Sequence, residues 1–299
     1  MTVERMCQLL AISRAGYYRR LAIRTPDEEE MMVRAAIQEI ALRHGRHYGR
    51  RRITAELRDR GLVVNHKRVR RLMQEDQLLA IRQRRFLGTT DSDHDLEVCL
   101  NVAARMQLTG INQLWVADLT YIRLQREFVF LAVILDRFSR CAVGWSLGRS
   151  LGAKLTIGAL QRAIESRKPA PGLVHHSDRG MQYAARQYVE MLQQHGMIAS
   201  MSRPANPWEN GACERFMRTL KQEEIYCRQY LSLEDLSRHV EEFIGEYYNR
   251  QRLHSALGYH TPEAFERSLS SDPGSSPPTI RLSFFRHGEI YRSDRGQNP

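Results

Sequence analysis

The chain has 299 residues, 42% of them hydrophobic, and a formal net charge of +11. This length exceeds that of most single domains, so a large core with one or two small modules is expected. The longest strongly apolar run, residues 128–135, is far shorter than the roughly 20 residues of a membrane span, and Glu4 and Arg5 interrupt any signal-like start. The five cysteines are scattered, which argues against a disulfide framework and a Cys-x-x-Cys zinc site. We therefore expect a soluble, cytoplasmic protein with reduced thiols.

The positive charge is concentrated in residues 43–85, which contain 14 Lys and Arg residues and four acidic ones. A localised positive field favours a polyanionic partner, because each neutralised phosphate releases condensed counterions. A generic solvated basic face is the alternative. The density of this run and its helical periodicity favour nucleic acid.

The first 25 residues are predicted to form a short N-terminal helical segment. Helices are expected over residues 3–10 and 13–21, with Ser13 as the N-cap of the second. The sequence CQLLAISRAGYYRR resembles half of a helix-turn-helix, and a simple helical hairpin fits the pattern equally well. A new helix is expected after Thr25-Pro26-Asp27, because proline suits the first helical position and the following glutamates suit the positive end of the helix dipole.

Residues 26–87 are predicted to form an all-α helix-turn-helix domain that binds DNA. Apolar residues follow one face of its helices while basic residues stay exposed. In this fold the third helix lies in the major groove, so residues 65–74 are the candidate reading surface. The three helices are expected over residues 28–43, 49–60 and 65–78. The candidate DNA-binding side chains are Arg50, Arg51, Arg52, Lys67, Arg68, Arg70 and Arg71.

Two further features adjoin these helices. Arg82, Arg84 and Arg85 continue the positive charge into an extended segment that suits a DNA backbone or minor groove. His44 and His47 form a His-x-x-His pair, but no Cys-x-x-Cys follows, which argues against zinc.

Residues 88–110 are predicted to be a linker, because the stretch GTTDSDHD at residues 88–95 is a cluster of polar and turn-forming residues. A large core is expected over residues 111–268. Residues 269–299 are predicted to form a tail. The stretch SLSSDPGSSPP, which starts at Ser268, reads as a linker, and RLSFFRHGEIYRS then suits one or two strands.

The core is predicted to be an α/β domain. Three apolar segments joined by short connections indicate an antiparallel meander, and shorter strands and helices then alternate. This is the order of a ribonuclease-H-like mixed five-stranded sheet flanked by helices. Strands are expected over residues 114–122, 128–135, 141–147, 173–176 and 198–201, and helices over 154–165, 184–195, 211–228 and 233–250, with Ser232 and Asp235 as a capping box for the last.

Three acidic residues stand out against these elements. Asp118 ends the apolar run LWVADLTYI, Asp178 ends GLVHHSD, and Glu214 lies one turn into a helix that follows a loop rich in Pro and Asn. We therefore expect both aspartates where buried strands come out to solvent. Three converging carboxylates can bind a pair of hard divalent cations of the kind that phosphodiester chemistry uses.

Each acid also has a structural explanation. An isolated carboxylate in an apolar strand, such as Asp118, more often forms an ion pair. Asp178 suits a turn or an N-cap, and Glu214 suits an i,i+4 pair with Arg218 on a solvated helix. Glu214, Arg218 and Lys221 share one helix face, which suits a carboxylate on metal and two cations on DNA phosphates. The joint placement of the three acids is stronger evidence for a metal site than any one of them alone.

Five motifs occur in order: WVADLTYI, LDRFSR, HHSDRGMQY, NPWENGACERFMRTLKQE and YYNRQRLHSALGYHTPEAF. Together, over residues 112–265, they resemble the integrase core of bacterial insertion-sequence transposases of the OrfB type, in the retroviral integrase superfamily. Residues 28–85 resemble the helix-turn-helix region that precedes this core. The 35 residues between Asp178 and Glu214 belong to the resemblance.

The resemblance implies that Asp118, Asp178 and Glu214 bind two Mg²⁺ ions, for which Mn²⁺ substitutes, and catalyse polynucleotidyl transfer. Water cuts a strand at the element end, and the freed 3′-hydroxyl then attacks target DNA without a covalent protein intermediate. Asp136 matches a turn residue of the family and not a ligand. A structural role is also expected for His175 and His176, with contact to substrate or metal-bound water as the alternative. The role of the run YYNRQRLHS stays open.

Two departures from the family bear on partners. The His-His-Cys-Cys zinc module of retroviral integrases is absent from the sequence, and so is the leucine-heptad segment carried by the OrfA partner with which OrfB proteins are typically fused. We therefore expect double-stranded DNA at element ends and target, an OrfA-type partner or fusion, a homo-oligomer on DNA, and a nucleoid-associated location when DNA is bound. The competing hypotheses are an inactive transposase-derived DNA-binding protein and a ribonuclease H, which hardly needs residues 1–85.

Overall fold

The computed structural model describes residues 2–21, 28–80, 99–125, 127–202, 210–271 and 280–281. The chain forms two compact units, residues 1–82 and 83–299. Within the described ranges, no helix is both long enough and apolar enough to cross a membrane. The proposed breaker segment at residues 88–95 and the basic residues Arg82, Arg84 and Arg85 lie outside the described residues.

The first unit contains the five helices that the sequence predicts. Ser13 caps the second helix as expected, since its Oγ accepts a hydrogen bond from the Gly16 N–H at 3.0 Å. The fifth helix ends three residues earlier than predicted, because Gln77 adopts a left-handed conformation and closes the helix end. The helices are α1 (Val3–Leu9), α2 (Arg14–Leu21), α3 (Glu28–Arg43), α4 (Arg50–Asp59) and α5 (His66–Glu75).

Helices α3, α4 and α5 pack around a small apolar core. Its buried side chains recur at helical spacing on each helix, which is the pattern that drives amphipathic helices together. His44 is buried beside this core, where it stacks on Tyr48 and hydrogen-bonds to Glu56 at 2.9 Å. The core residues are Val33, Ile37, Ile40, Ile53, Leu57, Val69, Leu72 and Met73.

The second unit is built on a five-stranded mixed sheet, as predicted. Within this sheet, the first three strands in chain order form the antiparallel meander. The last two strands of the sheet run parallel to its first strand. With a separate two-residue strand β1 (Gln107–Leu108) before them, the strands are β2 (Leu114–Arg123), β3 (Phe128–Asp136), β4 (Ala142–Gly148), β5 (Val174–Ser177) and β6 (Ile198–Met201), in the order β4-β3-β2-β5-β6.

Helices cover both faces of this sheet. Alternate residues of β2 enter different cores: Leu114 and Val116 enter one, and Trp115 and Ala117 enter the other. At Gly144 a Cβ atom would lie 2.2 Å from the Ala159 carbonyl oxygen, so this crossing of helix and strand requires glycine. The helices are α6 (Ala153–Arg167), α7 (Arg186–Gln194), α8 (Gly211–Glu223), α9 (Leu233–Glu242) and α10 (Pro262–Ser271).

Two predicted helices are shorter than expected. Helix α8 ends at Glu223 and not near residue 228, because the Glu224 backbone leaves the helical conformation, with φ of −128°, and a 3-10 turn, Ile225–Cys227, follows. Helix α9 gives way to a π-helical turn, Phe243–Tyr248. Its predicted cap is present, since Ser232 Oγ accepts from the Asp235 N–H at 3.2 Å.

The ends of the core also differ from the prediction. Ala103 and Leu108 are buried in the core, so packing begins before residue 111. The last four residues of α10, 268–271, are helical where the linker was expected. A short strand β7 (Ile280–Arg281) pairs antiparallel with β1, and the rest of the predicted C-terminal strand region lies outside the described residues.

Candidate active site

Asp118 and Asp178 lie at matching positions on neighbouring parallel strands. Strands β2 and β5 pair with Val116 opposite His176, and each aspartate is two residues further along. Adjacent strands are roughly 4.8 Å apart, so the two carboxylates are near neighbours. Burial, and then the charge of Asp178, raises the pKa of the Asp118 carboxyl to about 7.

The strand ends differ from the prediction at one of these two residues. Asp178 directly follows the last residue of β5, as expected. Asp118 lies in the middle of β2, because pairing with β3 continues as far as Arg123. The backbone of Asp118 is therefore paired with β3, opposite Val133, while the recorded pairing with β5 ends at Val116.

Glu214 reaches the same region from the first turn of α8. Two contacts fasten this turn to β2 just before Asp118: Asn210 Nδ2 donates to the Ala117 carbonyl at 2.8 Å, and Cys213 Sγ donates to the Val116 carbonyl at 3.2 Å. Glu214 is itself exposed, and its charge is close enough to contribute to the raised pKa of Asp118. The three acids therefore share one electrostatic environment.

Two cations lie beside these acids on α8. Lys221 is half-buried, burial lowers its pKa, and its charge acts on Asp118. Its Nζ lies 5.0 Å from the centre of the Tyr121 ring. Arg218 is exposed and lies near enough to offset part of the upward shift that burial causes in the pKa of Glu214. No salt bridge joins Arg218 to Glu214 within the described part of the chain.

Asp136 has the turn role expected for it. Its Oδ1 accepts hydrogen bonds from the N–H groups of Phe138 and Ser139, both at 2.9 Å, and its Oδ2 accepts from the Asn112 N–H at 2.6 Å. The carboxylate thus builds the connection between β3 and β4.

His175 and His176 are buried and structural. His175 Nε2 lies 3.0 Å from the Tyr188 hydroxyl, and burial lowers the pKa of His175 to about 3. The two ring nitrogens of His176 hydrogen-bond to Ser200 and Ser202, each at 3.0 Å. These contacts explain the histidines by packing within the fold, as expected, and involve none of the three acids.

The run YYNRQRLHS, for which sequence reasoning found no role, holds α8 and β4 in place. Asn249 exchanges two hydrogen bonds of 3.0 Å with the backbone N–H and carbonyl of Ala142. Arg252 forms a buried bidentate pair with Glu223, the last residue of α8, at 2.7 and 2.8 Å. Because Asn210 and Cys213 fix the start of α8, this helix is anchored at both ends, and Glu214 lies between them. No local sequence pattern signals these long-range contacts.

The predicted DNA-binding residues of the first unit fall into two groups. Arg68 and Arg71 are already paired, Arg68 with Glu29 at 2.9 Å and Arg71 with Glu75 at 2.9 Å. Arg52 lies over the Tyr48 ring. The second group makes no ion pair within the described residues and comprises the exposed Arg51, Lys67 and Arg70 and the half-buried Arg50.

The acids supply the oxygen ligands that Mg²⁺ prefers. A bound cation would also favour the ionised form of Asp118, whose pKa is raised by burial and by its acidic neighbours. In the described ranges, no group of three or more His, Cys, Asp or Glu residues is close enough to hold a metal ion. The residue types of the three acids suit magnesium, whereas their spacing in this structure does not yet form a metal site.

Family models match both units of the chain. The integrase core domain family matches residues 109–207 and again residues 195–262, and an HTH-like domain matches residues 26–86. The catalytic core of HTLV-2 integrase, solved in complex with magnesium, matches with 17% identity and a TM-score of 0.42 over 52% of this chain and 97% of that chain.

Two bacterial relatives match nearly the whole chain. A 31 kDa protein of insertion element IS600 from Shigella sonnei is 38% identical over 264 residues, which are 87% of this chain and 97% of the relative. The transposase InsF for insertion sequence IS3A from Escherichia coli (strain K12) is 33% identical over 270 residues, which are 89% of this chain and 94% of InsF. The chain therefore belongs to the insertion-sequence transposase family that carries an HTH-like domain and an integrase core domain.

Proposed function

We propose that this protein catalyses DNA cleavage and strand transfer during transposition, with Asp118, Asp178 and Glu214 as the catalytic acids. The observation that supports the proposal is the register of β2 and β5, in which Val116 pairs with His176, two residues before Asp118 and Asp178, together with the attachment of the Glu214 helix to β2. Three carboxylates of like charge in one environment suit a reaction at a phosphodiester that is assisted by cations.

Asp118, Asp178 and Glu214 would hold two Mg²⁺ ions, or Mn²⁺ in their place, which would activate the attacking oxygen and stabilise the leaving oxygen. The remaining task of the protein is to position DNA. Lys221 and Arg218 lie on the same face of α8 as Glu214 and are placed to contact phosphates beside the scissile bond. The anchors at the two ends of α8 keep the carboxylate and these cations in one fixed arrangement.

The first unit is proposed to bind element ends through residues 26–87. A linker that starts at residue 88 and a catalytic core that includes Ala103, Leu108 and all of α10 follow it. Residues 65–74 would enter the major groove. Among the candidate basic residues, the exposed Arg51, Lys67 and Arg70 have no ion pair to break within the described residues before they contact phosphate. Arg68 and Arg71 would have to exchange a carboxylate for a phosphate.

Two kinds of partner follow from the reaction. Two element ends must be cut and joined in one event, so at least two active sites are needed, and we propose a homo-oligomer on DNA. An OrfA-type partner or fusion is proposed to supply the leucine-heptad segment. A catalytically inactive DNA-binding protein would keep the first unit without needing the three acids, and their shared environment favours the enzyme.

A strand-transfer assay on terminal-repeat DNA with Mg²⁺, with and without an OrfA-type partner, tests the proposal. Glu214→Gln removes a charge and keeps the shape of the side chain, so joined products should disappear. The matched control is Glu165→Gln, an exposed acid on α6, which should retain activity. Equal activity of Glu214→Gln and the wild type would refute the catalytic assignment.

A further inference from the structure

Three arginines of the second unit are close enough for their positive charges to act on one another. Arg137 and Arg140 belong to the turn between β3 and β4, and Arg215 is on α8. Arg137 Nη1 and Arg140 Nε are both buried and have no hydrogen-bond partner. None of the three forms an ion pair in the part of the chain that the structure describes.

The three side chains also repel one another. Burial, and then the charges of Arg140 and Arg215, lower the pKa of Arg137 to about 10. The pKa of Arg140 is lowered by burial and then by Arg215. Each positive charge therefore lies in the field of another, which is unfavourable unless an anion compensates it.

Asp136, the acid nearest in sequence, compensates only in part: its charge raises the pKa of Arg137, but it forms no ion pair with Arg137 or Arg140 within the described residues. Both oxygens of Asp136 are already engaged by backbone N–H groups, as described above. Elsewhere in the same unit, partly and fully buried arginines have partners: Arg167 pairs with Glu266 at 2.7 Å, and Arg252 pairs with Glu223 at 2.7 Å. The Arg137 cluster differs because its guanidinium groups are left without carboxylates.

The turn holds these groups in a fixed position. The Arg137 N–H donates to the Leu114 carbonyl and the Arg140 N–H donates to the Asp136 carbonyl, both at 2.9 Å. Arg140 has a left-handed backbone with φ of 64°, a conformation that Gly or Asn adopts at lower cost.

We propose that Arg137, Arg140 and Arg215 form a binding site for one phosphate of the DNA backbone, separate from the three acids. The proposal rests on the proposed function only for the source of the phosphate. Forked guanidinium donors match phosphate oxygens better than any other side chain does. Arg215 directly follows Glu214 and projects about 100° around α8 from it, so the site lies beside the path of DNA bound at the acids.

Binding of duplex DNA by the full-length protein in magnesium-free buffer tests the site. Arg215→Gln and Arg140→Gln should each weaken binding about tenfold at low salt, because charge-assisted hydrogen bonds are lost. The slope of log affinity against log salt should fall by about 0.9, the value for one phosphate. Arg215→Lys should keep the slope and lose part of the affinity. The control, Arg186→Gln, removes an exposed arginine of α7 that pairs with Glu190 and should change neither quantity.

Thermal unfolding with and without inorganic phosphate distinguishes this site from a structural role. Phosphate should raise the Tm of the wild type and should not raise that of Arg215→Gln. Without phosphate, Arg215→Gln should be at least as stable as the wild type, because repulsion is relieved. A less stable variant with an unchanged DNA salt slope would overturn the site. If phosphate raises the Tm of the wild type but the substitution leaves the DNA salt slope unchanged, the cluster binds another anionic partner, such as an acidic protein, and the DNA-phosphate site is overturned.

The Glu214→Gln variant separates this inference from the proposed reaction. It should lose strand transfer and keep both the salt slope and the phosphate-dependent Tm shift. Failure of strand transfer in the wild type with both binding signals intact would contradict the reaction and support the phosphate site.

Discussion

Charged residues are arranged in opposite ways in the helical unit and at the acid site. Between α3 and α5, Arg34 contacts Glu30, Glu75 and Asp76, and its neighbours are paired in the same way. At the acid site, carboxylates approach one another and raise the pKa of Asp118. Opposite charges within a fold neutralise each other, whereas a cluster of one sign requires a counter-ion from outside. The clusters of like charge are therefore the places where this molecule is built to bind something.

The largest effect is expected from the acid site. Asp118→Asn should abolish strand transfer, because a metal-binding charge is lost. The same change should raise the free energy of unfolding without metal by about 1–2 kcal/mol, since a repelled carboxylate is replaced by a neutral amide. Urea unfolding measures this change, and Mg²⁺ should stabilise the wild type more than the variant. A less stable variant without metal would show that Asp118 serves packing.

Removing one charge of the buried Arg252–Glu223 pair should lower stability, in contrast to the change at Asp118. Arg252→Gln leaves the buried Glu223 carboxylate without its ion-pair partner, so the free energy of unfolding should fall by about 3–5 kcal/mol. Strand transfer should fall as well, because the end of α8 is released. The control is Arg250→Gln, which breaks exposed pairs to Glu246 and Glu263 and should change stability much less. Adding Glu223→Gln to Arg252→Gln should restore part of the loss, and the absence of any recovery would contradict this account.

Because His175 is buried in its neutral form, the stability of the protein should depend on pH. His175 has a pKa of about 3 in the fold, while the unfolded chain takes up that proton below about pH 6.5. The unfolded state therefore gains protons first as the pH falls, and stability is lost between about pH 6.5 and 3. Between pH 7.5 and 5 the loss should be about 2 kcal/mol. Urea unfolding of His175→Gln should lack this component, and that of His195→Gln, which changes an exposed histidine, should retain it.

The sequence was sufficient for features that depend on local pattern. The meander follows from three apolar runs with short connections, and the order of the later strands and helices was also correct. The start of α10 was missed although its signal is local: Thr261 Oγ1 accepts from the Ala264 N–H at 3.2 Å, and Pro262 occupies the first helical position. The sequence therefore contained the signal for this helix, and it was overlooked.

Other features depend on contacts between distant residues. Asn249 and Ala142 are 107 positions apart, and no periodicity reveals that one binds the backbone of the other. The missing partners of Arg137 and Arg140 likewise become visible only when every neighbour in space is known. The acids stood out in the sequence by their places relative to apolar runs and a helix, whereas the matching register of the strands that carry Asp118 and precede Asp178 is a property of the sheet.

The smallest effect is expected on DNA affinity, when cations of α5 with and without an ion pair are substituted. Arg70 is exposed and has no ion pair within the described residues, whereas Arg68 is held by Glu29 at 2.9 Å. Binding of phosphate by Arg68 must first break that pair, which reduces the net gain. Arg70→Gln should therefore weaken the binding of terminal-repeat DNA more than Arg68→Gln does, by a few-fold at moderate salt. Glu29→Gln, which frees Arg68, should strengthen binding slightly. Fluorescence anisotropy at several salt concentrations measures all three, and a larger loss for Arg68→Gln would show that pairing within α3 and α5 presents the arginine to DNA.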